Sequence, residues 1–262
     1  MRALRTAATG MSAQQLNVEV ISNNIANMNT IGFKKQRAEF QDLLYQNIER
    51  AGAQSSSTGT VVPTGVQVGS GVKAGSTYRI TSQGSATQTG NKLDLMIQGK
   101  GYLQVLLPSG ETAYTRAGNL STNDQGKLVT DDGYEIQPSI TIPQDATDIT
   151  ISPAGQVQVV QPGNATPTLV GDLQLANFFN EMGLEAMGEN LFLESGASGA
   201  ALTGAPGDQG FGRLLQGYTE ASNVDAVTEI TALIVAQRAY EMNSKVITSA
   251  DEMLAATAQL KN

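Results

Sequence analysis

Helix breakers divide this chain of 262 residues into three stretches. All eight prolines lie between Pro63 and Pro206, Gly10 is the only glycine before Gly32, and no glycine follows Gly217. Proline removes a backbone donor and clashes with the preceding turn, and glycine weakens a helix entropically. Both ends are therefore free to be helical and the middle is not.

The first end carries a heptad seam. Leu4, Ala7, Met11, Gln14, Val18, Ile21, Ile25 and Met28 recur at alternating spacings of three and four, which places them on one side of a helix. The amide-rich stretch 27–32 should stop that helix. A second, short helix is predicted to follow, with Phe40, Leu43 and Leu44 on one face.

The other end is predicted to open at Ser222, with Asp225 three residues on as a capping-box-like pair, and to run to about Leu260. It has two apolar sets with a seven-residue repeat. One is Leu233, Tyr240, Ile247 and Leu254; the other is Val235, Met242, Ser249 and Ala256, flanked by Ala239, Val246, Met253 and Leu260. At about 100° per residue these sets lie on nearly opposite faces. Arg238, Glu241, Lys245 and Glu252 form a stripe between them, with Glu241 and Lys245 spaced as an i,i+4 ion pair. A helix with two apolar faces needs two partners. The N-terminal helix can supply one, and a neighbouring copy the other. Burial inside one large core is the competing reading, and the middle of the chain argues against it.

That middle reads as β. Residues 48–90 are rich in Gly, Ser, Thr and Gln, with short alternations such as Val66-Gln67-Val68. They suggest an extended arm, and the interleaved Val and Ile favour ordered strands over a flexible linker. From Leu93 to about Val170, turn strings such as Gln98-Gly99-Lys100-Gly101, Asp131-Asp132-Gly133 and Pro153-Ala154-Gly155 recur between short apolar runs, as in an all-β domain. A Gly/Ala-rich return loop spans 194–212. The expected fold class is α+β, with discontinuous coiled-coil-like terminal helices, an intervening all-β domain and an extended β arm. The expected divisions are 1–45 and 216–262 for the two helical parts of an assembly domain, 46–92 for the arm, and 93–215 for the outer β domain with its return loop.

Chemistry is hard to place on this composition. There is no Cys, His or Trp, which removes thiolate ligands, disulfides and the commonest general base. A net charge of −8 opposes nucleic-acid binding or insertion at an anionic membrane surface. Asp124, Asp131, Asp132 and Glu135 could form a carboxylate pair of the kind that hydrolyses glycosides, but they sit beside glycines, where Asp commonly caps its own turn. Asn123-Asp124-Gln125-Gly126 lacks the ligand density of a calcium loop, and Gly99-Lys100-Gly101 lacks the rest of a phosphate-binding loop. No catalytic, cofactor or metal residue is assigned. The N-terminus has no apolar block of a secretory signal, and no apolar run approaches the ~20 residues of a membrane span. A cytoplasmic location is the default, unless the chain leaves by a route that needs no cleaved signal.

Two motifs carry a resemblance. Ser22-Asn23-Asn24-Ile25-Ala26-Asn27, followed by Asn29-Thr30 and Gly32-Phe33-Lys34, resembles the N-terminal signature of the bacterial flagellar basal-body rod and hook family. Glu220-Ala221-Ser222-Asn223-Val224-Asp225 and Gln237-Arg238-Ala239-Tyr240-Glu241-Met242 resemble its C-terminal one. Leu95 to Val105 and Tyr114-Thr115-Arg116-Ala117-Gly118-Asn119-Leu120 are similar to the family's β domain, with departures at Tyr102-Leu103 and Ala117. The segment from Gly52 through Gly69 is similar to the arm of the family's distal-rod members, and a proximal rod or hook subunit is the alternative.

The resemblance implies a structural subunit of the distal rod, a rigid hollow drive shaft that transmits torque from motor to hook. A peptidoglycan hydrolase at the rod tip is the reading from another class. It also implies partners: further copies of this chain, other rod and hook proteins, the flagellar type III export apparatus and envelope-ring bushing proteins, without nucleic acid or membrane insertion. The location implied is the basal body in the periplasmic zone, reached without a cleaved signal. Assembly is expected to use Leu4, Met11, Val18, Ile21, Ile25, Leu233, Val235, Tyr240, Met242, Val246, Ile247, Met253 and Leu254. The family-motif residues are Ser22, Asn23, Asn24, Asn27, Gly32, Phe33, Ser222, Asn223, Gln237, Arg238 and Tyr240. The terminal helices are expected to be mobile before assembly and ordered within the polymer.

Overall fold

The computed structural model describes residues 2–49, 64–163 and 166–259. Much of the arm between residues 50 and 63, and Leu260 at the end of the C-terminal helix, lie outside the described residues. Among the described residues two long helices, α1 (Arg2–Ala26) and α2 (Ala226–Gln259), bracket twenty short strands. The chain divides into two compact units. The first comprises Met1–Ala26, Gln36–Tyr78 and Asp225–Asn262, and the second Asn27–Lys35 and Arg79–Val224.

In the first unit α1 packs on α2. A Cβ added at Gly10 would come 2.9 Å from the Asn243 side chain, while Asn24 bonds Glu229. The pair is therefore antiparallel. Its contact is lined by small side chains, with Ala7 and Ala13 buried on α1 and Ala236 and Ala250 on α2, so the two backbones run close together. The strands here are β1 (Gln36–Asp42), β2 (Tyr45–Glu49), β3 (Val66–Gly69) and β4 (Val72–Arg79). β1 pairs with β4, and β2 with β3.

The short helix predicted around Phe40 is strand β1 instead. Its burial alternates, with Gln36, Ala38 and Phe40 covered and Arg37, Glu39 and Gln41 exposed. That is a strand's period of two, and it outweighs the apolar grouping of Phe40, Leu43 and Leu44. Leu44 is in fact 87% exposed. The start of α2 also differs from expectation. Asp225, not Ser222, caps the helix, its Oδ1 accepting the Thr228 N–H at 2.8 Å, because an N-cap oxygen must reach the free N–H three residues on. Ser222 Oγ accepts the Val224 N–H before the helix begins.

The second unit holds β5 (Ala86–Gln88), β6 (Leu95–Gln98), β7 (Tyr102–Leu106), β8 (Thr112–Thr115), β9 (Leu120–Thr122), β10 (Leu128–Thr130) and β11 (Glu135–Gln137). These are followed by β12 (Asp148–Ile151), β13 (Gln156–Val160), β14 (Thr168–Asp172), β15 (Leu175–Asn177), β16 (Glu185–Gly188), β17 (Leu191–Leu193), β18 (Leu202–Gly204), β19 (Arg213–Gln216) and β20 (Tyr218–Glu220). A nine-stranded sheet runs β16-β17-β8-β7-β11-β10-β9, with β15 pairing both β7 and β18. β18 lies inside the segment read as a return loop. The sheet's central strands β7, β8 and β15 are buried on both faces, and alternation sorts their residues between them. Leu103, Val105, Ala113 and Leu175 enter the main core, joined by Leu95, Ile97, Val157, Val159 and Leu214 from the smaller sheets. The intervening Tyr102, Tyr114 and Ala176 meet Phe178 and Leu184 in a second cluster, where Tyr114 and Phe178 stack edge-to-face at 4.7 Å.

Candidate assembly interface

The family-motif residues fall into two groups, and most of the first hold the fold. In the first unit Asn24, at the last turn of α1, is fully buried. Its Nδ2 donates to the Gln36 carbonyl and its Oδ1 accepts the Gln36 N–H, each at 2.8 Å. The same Nδ2 donates to Glu229 Oε2 at 3.1 Å. One amide side chain thus ties α1, β1 and the first turn of α2 together and satisfies groups that would be costly to bury unpaired. Ser22 and Asn23, beside it, face solvent.

In the second unit a buried ionic knot ties three segments of the chain together. Glu220 is fully buried between two cations: Lys34 Nζ at 2.5 Å and Arg116 Nε at 2.8 Å. It also accepts the Gly84 N–H at 2.9 Å. Arg116 donates its remaining N–H groups to the carbonyls of Ile97, Gly99 and Gly101, and Lys34 donates to the Ser82 carbonyl. Burial alone would push the Glu220 carboxyl up, but Arg116, Lys34 and the Gly84 N–H together hold it below its ordinary value. Burial, and then repulsion by Arg116, push the Lys34 ammonium down, against the pull of Glu220.

Asn223 works beside this knot. Its Oδ1 accepts the Lys35 N–H at 2.7 Å, and its Nδ2 donates to the Ile80 and Ser82 carbonyls. Asn27 accepts from the Thr30 hydroxyl. Gly32 sits at φ +70, its N–H donating to the Glu220 carbonyl. A Cβ there would lie 2.9 Å from the Ala117 nitrogen, so both conformation and space demand glycine. Phe33 is half-buried. Sequence reasoning quoted Lys34, Arg116 and Glu220 within motifs without seeing that they meet. Three charged residues, each embedded in a different motif, were the available sign.

The second group lies on α2 in the first unit. Glu229, Ala236 and Ala250 are buried, and Leu233, Ala239, Asn243 and Ile247 are half-covered on the same side. Val235, Met242, Val246 and Met253 are 62%, 61%, 47% and 64% exposed. These four recur at spacings of seven, four and seven, and so form one continuous apolar stripe. Tyr240 and Leu254 are 44% and 40% exposed. Leu4, Met11, Val18 and Ile25 of α1 are half-covered and Ile21 is buried. A groove of about 360 Å³ is lined by Gln15, Val18 and Glu19 of α1 and by Gln237, Tyr240 and Glu241 of α2. Glu241 pairs with Arg238 at 3.3 Å, and not with Lys245 as the spacing had predicted. Both spacings give exposed pairs worth only tenths of a kcal/mol, so the choice between them has little effect on stability.

Two of the four carboxylates considered for hydrolysis are engaged otherwise: Asp131 accepts from Asn119, and Glu135 pairs with Lys127 at 2.7 Å. The Asn123 side chain accepts the N–H groups of Gln125 and Lys127, closing its own turn. No helix among the described residues is long and apolar enough to cross a membrane.

Comparison with known proteins places these features. Residues 4–34 match the family described as flagella basal body rod protein, and residues 96–159 the D1 domain of flagellar hook proteins FlgE/F/G. Residues 215–260 match the C-terminal region of flagellar basal body rod FlgEFG proteins. The chain is 75% identical to the flagellar basal-body rod protein FlgG of Caulobacter vibrioides over the whole length of both. It is 53% identical to the protein of that name in Agrobacterium fabrum, across 97% of each chain. For the Bacillus subtilis counterpart the figure is 41%, over all of this chain and 99% of the other. Identity at these levels over the full length carries motif, fold and surface together, and the chain belongs to the flagellar basal-body rod protein family.

Proposed function

We infer that the chain is a structural subunit of the distal rod of the bacterial flagellar basal body, polymerising into a hollow shaft that transmits torque to the hook. It is a building block and not an enzyme. The observation that carries the reading is the stripe Val235, Met242, Val246 and Met253, left uncovered on a helix whose other side is already packed on α1. A soluble chain exposes a continuous apolar stripe of this kind where another surface covers it. Head-to-tail contacts that do not close on themselves build open helical filaments, so the surface supplied is a second copy.

On this reading the half-covered side chains of α1 and the stripe of α2 form the wall of the tube. Neighbours in the rod are other rod and hook proteins. Export runs through the flagellar type III apparatus without a cleaved signal, and ring bushing proteins surround the finished shaft in the periplasm. Electron microscopy of basal bodies from cells lacking the chain tests this. Rods that stop short of the outer part of the shaft, restored by the wild-type gene and not by Met242→Glu, are expected. Full-length rods in the deletion strain would overturn it.

A further inference from the structure

Sulfur is distributed unevenly in this chain, which has eight methionines and no cysteine. Met96 is 4% exposed in the core of the second unit. Met242 and Met253, by contrast, are more than three-fifths exposed and belong to the α2 stripe. Eleven residues separate them, which at 100° per residue returns the helix to within about 20° of the same direction. Their stripe companions, Val235 and Val246, are aliphatic. The backbone N–H groups along the stripe are used within the helix, which leaves the Ser249 hydroxyl, one turn before Met253, as the hydrogen-bond donor on this face.

We propose that Met242 and Met253 are an oxidation site controlling whether a second copy of this chain can dock on α2. The proposal rests on the assembly role argued above. Hydrogen peroxide or another two-electron oxygen donor is the oxidant. A lone pair of the thioether sulfur attacks one peroxide oxygen, the S–O bond forms as the O–O bond breaks, and water leaves. Sulfur is oxidised by two electrons and the peroxide is reduced by two. The product, a sulfoxide, is a strong acceptor with no proton to donate. Covering it against an apolar neighbour leaves that oxygen unsatisfied, and each such burial weakens docking at least about tenfold. The unassembled chain is vulnerable because both sulfurs face solvent. Once assembled, it protects the same sulfurs by covering them. With no thiol present, no faster-reacting sulfur diverts the oxidant.

The test uses the full-length chain, oxidised with peroxide to graded extents, with peptide mass spectrometry locating each added oxygen. Sedimentation measures the polymerised fraction, and circular dichroism checks that both helices persist. Met182 and Met187, 52% and 59% exposed in the second unit, report the dose without touching the stripe. Oxidised wild-type chain should lose polymer about tenfold or more and recover it after treatment with the two methionine sulfoxide reductases. The M242L/M253L chain, close in volume and shape, should polymerise normally after the same dose. Undiminished polymer from chain oxidised at both sulfurs would overturn the proposal, as would equal loss in the leucine variant. If Met242→Glu also polymerises normally, the assembly face itself is wrong; if Met242→Glu is blocked, only the oxidation site falls.

Discussion

Glu220 sets the energetic stakes at the scale of a residue. One carboxylate bridges two cations in a buried site and balances one of their two charges. Removing one partner of such an arrangement costs far more than the arrangement contributes, because the remaining charge is left buried. Glu220→Gln keeps the shape and leaves Lys34 and Arg116 facing each other, so the second unit should lose about 3–5 kcal/mol in a chemical denaturation curve. The pH dependence follows from the direction of the shift. A carboxyl held below its ordinary 4.5 contributes stability that is fully present above that value and is lost as pH falls through the lowered one. Lys34 has the opposite consequence. Its ammonium is less favoured folded than unfolded, a cost that is relieved as pH rises towards the ordinary lysine value. Wild type should therefore lose stability of the second unit below about pH 4.5, while the Gln variant, already weakened, shows a flatter acid limb. An unchanged acid limb would exclude Glu220 as its source. Asn24, Gly32 and Asn223 were legible as motif positions. Their bonding was not, because Lys34 and Glu220 stand 186 residues apart and local pattern carries no information about such pairs.

The two helices were the most legible elements, since periodicity and the absence of breakers act over long windows. What the heptad seam could not give is how much of each helix is covered. Every described residue from 251 to 259 is exposed, so the last turns of α2 rest on helix propensity alone in the single chain, and isolated turns of that length are marginal. Amide hydrogen exchange should be fast there and slow around Ala236, and polymerisation should slow it at 251–259. Equal protection along α2 in the monomer would contradict this. The stripe and the covered side also respond differently to charge. Met242→Glu should abolish polymer and leave the thermal unfolding of the monomer unchanged. Ile247→Glu, on the half-covered side one turn from Asn243, should destabilise the helix pair itself by about 2–4 kcal/mol. Strand β1 was misread because its apolar residues are few, and the deciding alternation is completed by Ala38, a residue with little β preference of its own.

At the scale of the whole molecule, the division into helical ends and a β middle was readable from prolines and glycines, whereas the strand pairing was not. β15, for instance, bridges β7 and β18 across long stretches of chain. Residues 50–63 belong to the segment read as an extended arm, for which we propose a bracing role between neighbouring subunits. Deleting them is expected to give a curved or more pliable polymer by electron microscopy, and straight rods from the deletion would remove the bracing role.

The chain passes from one unit to the other after Ala26, Lys35, Tyr78 and Val224, and within the second unit the segment Asn27–Lys35 is bonded to the end of Arg79–Val224 through Gly32 to Glu220, Lys34 to Glu220 and Lys35 to Asn223. A pull that reaches the second unit through either of these two segments is therefore shared with the other at the bonds that tie them.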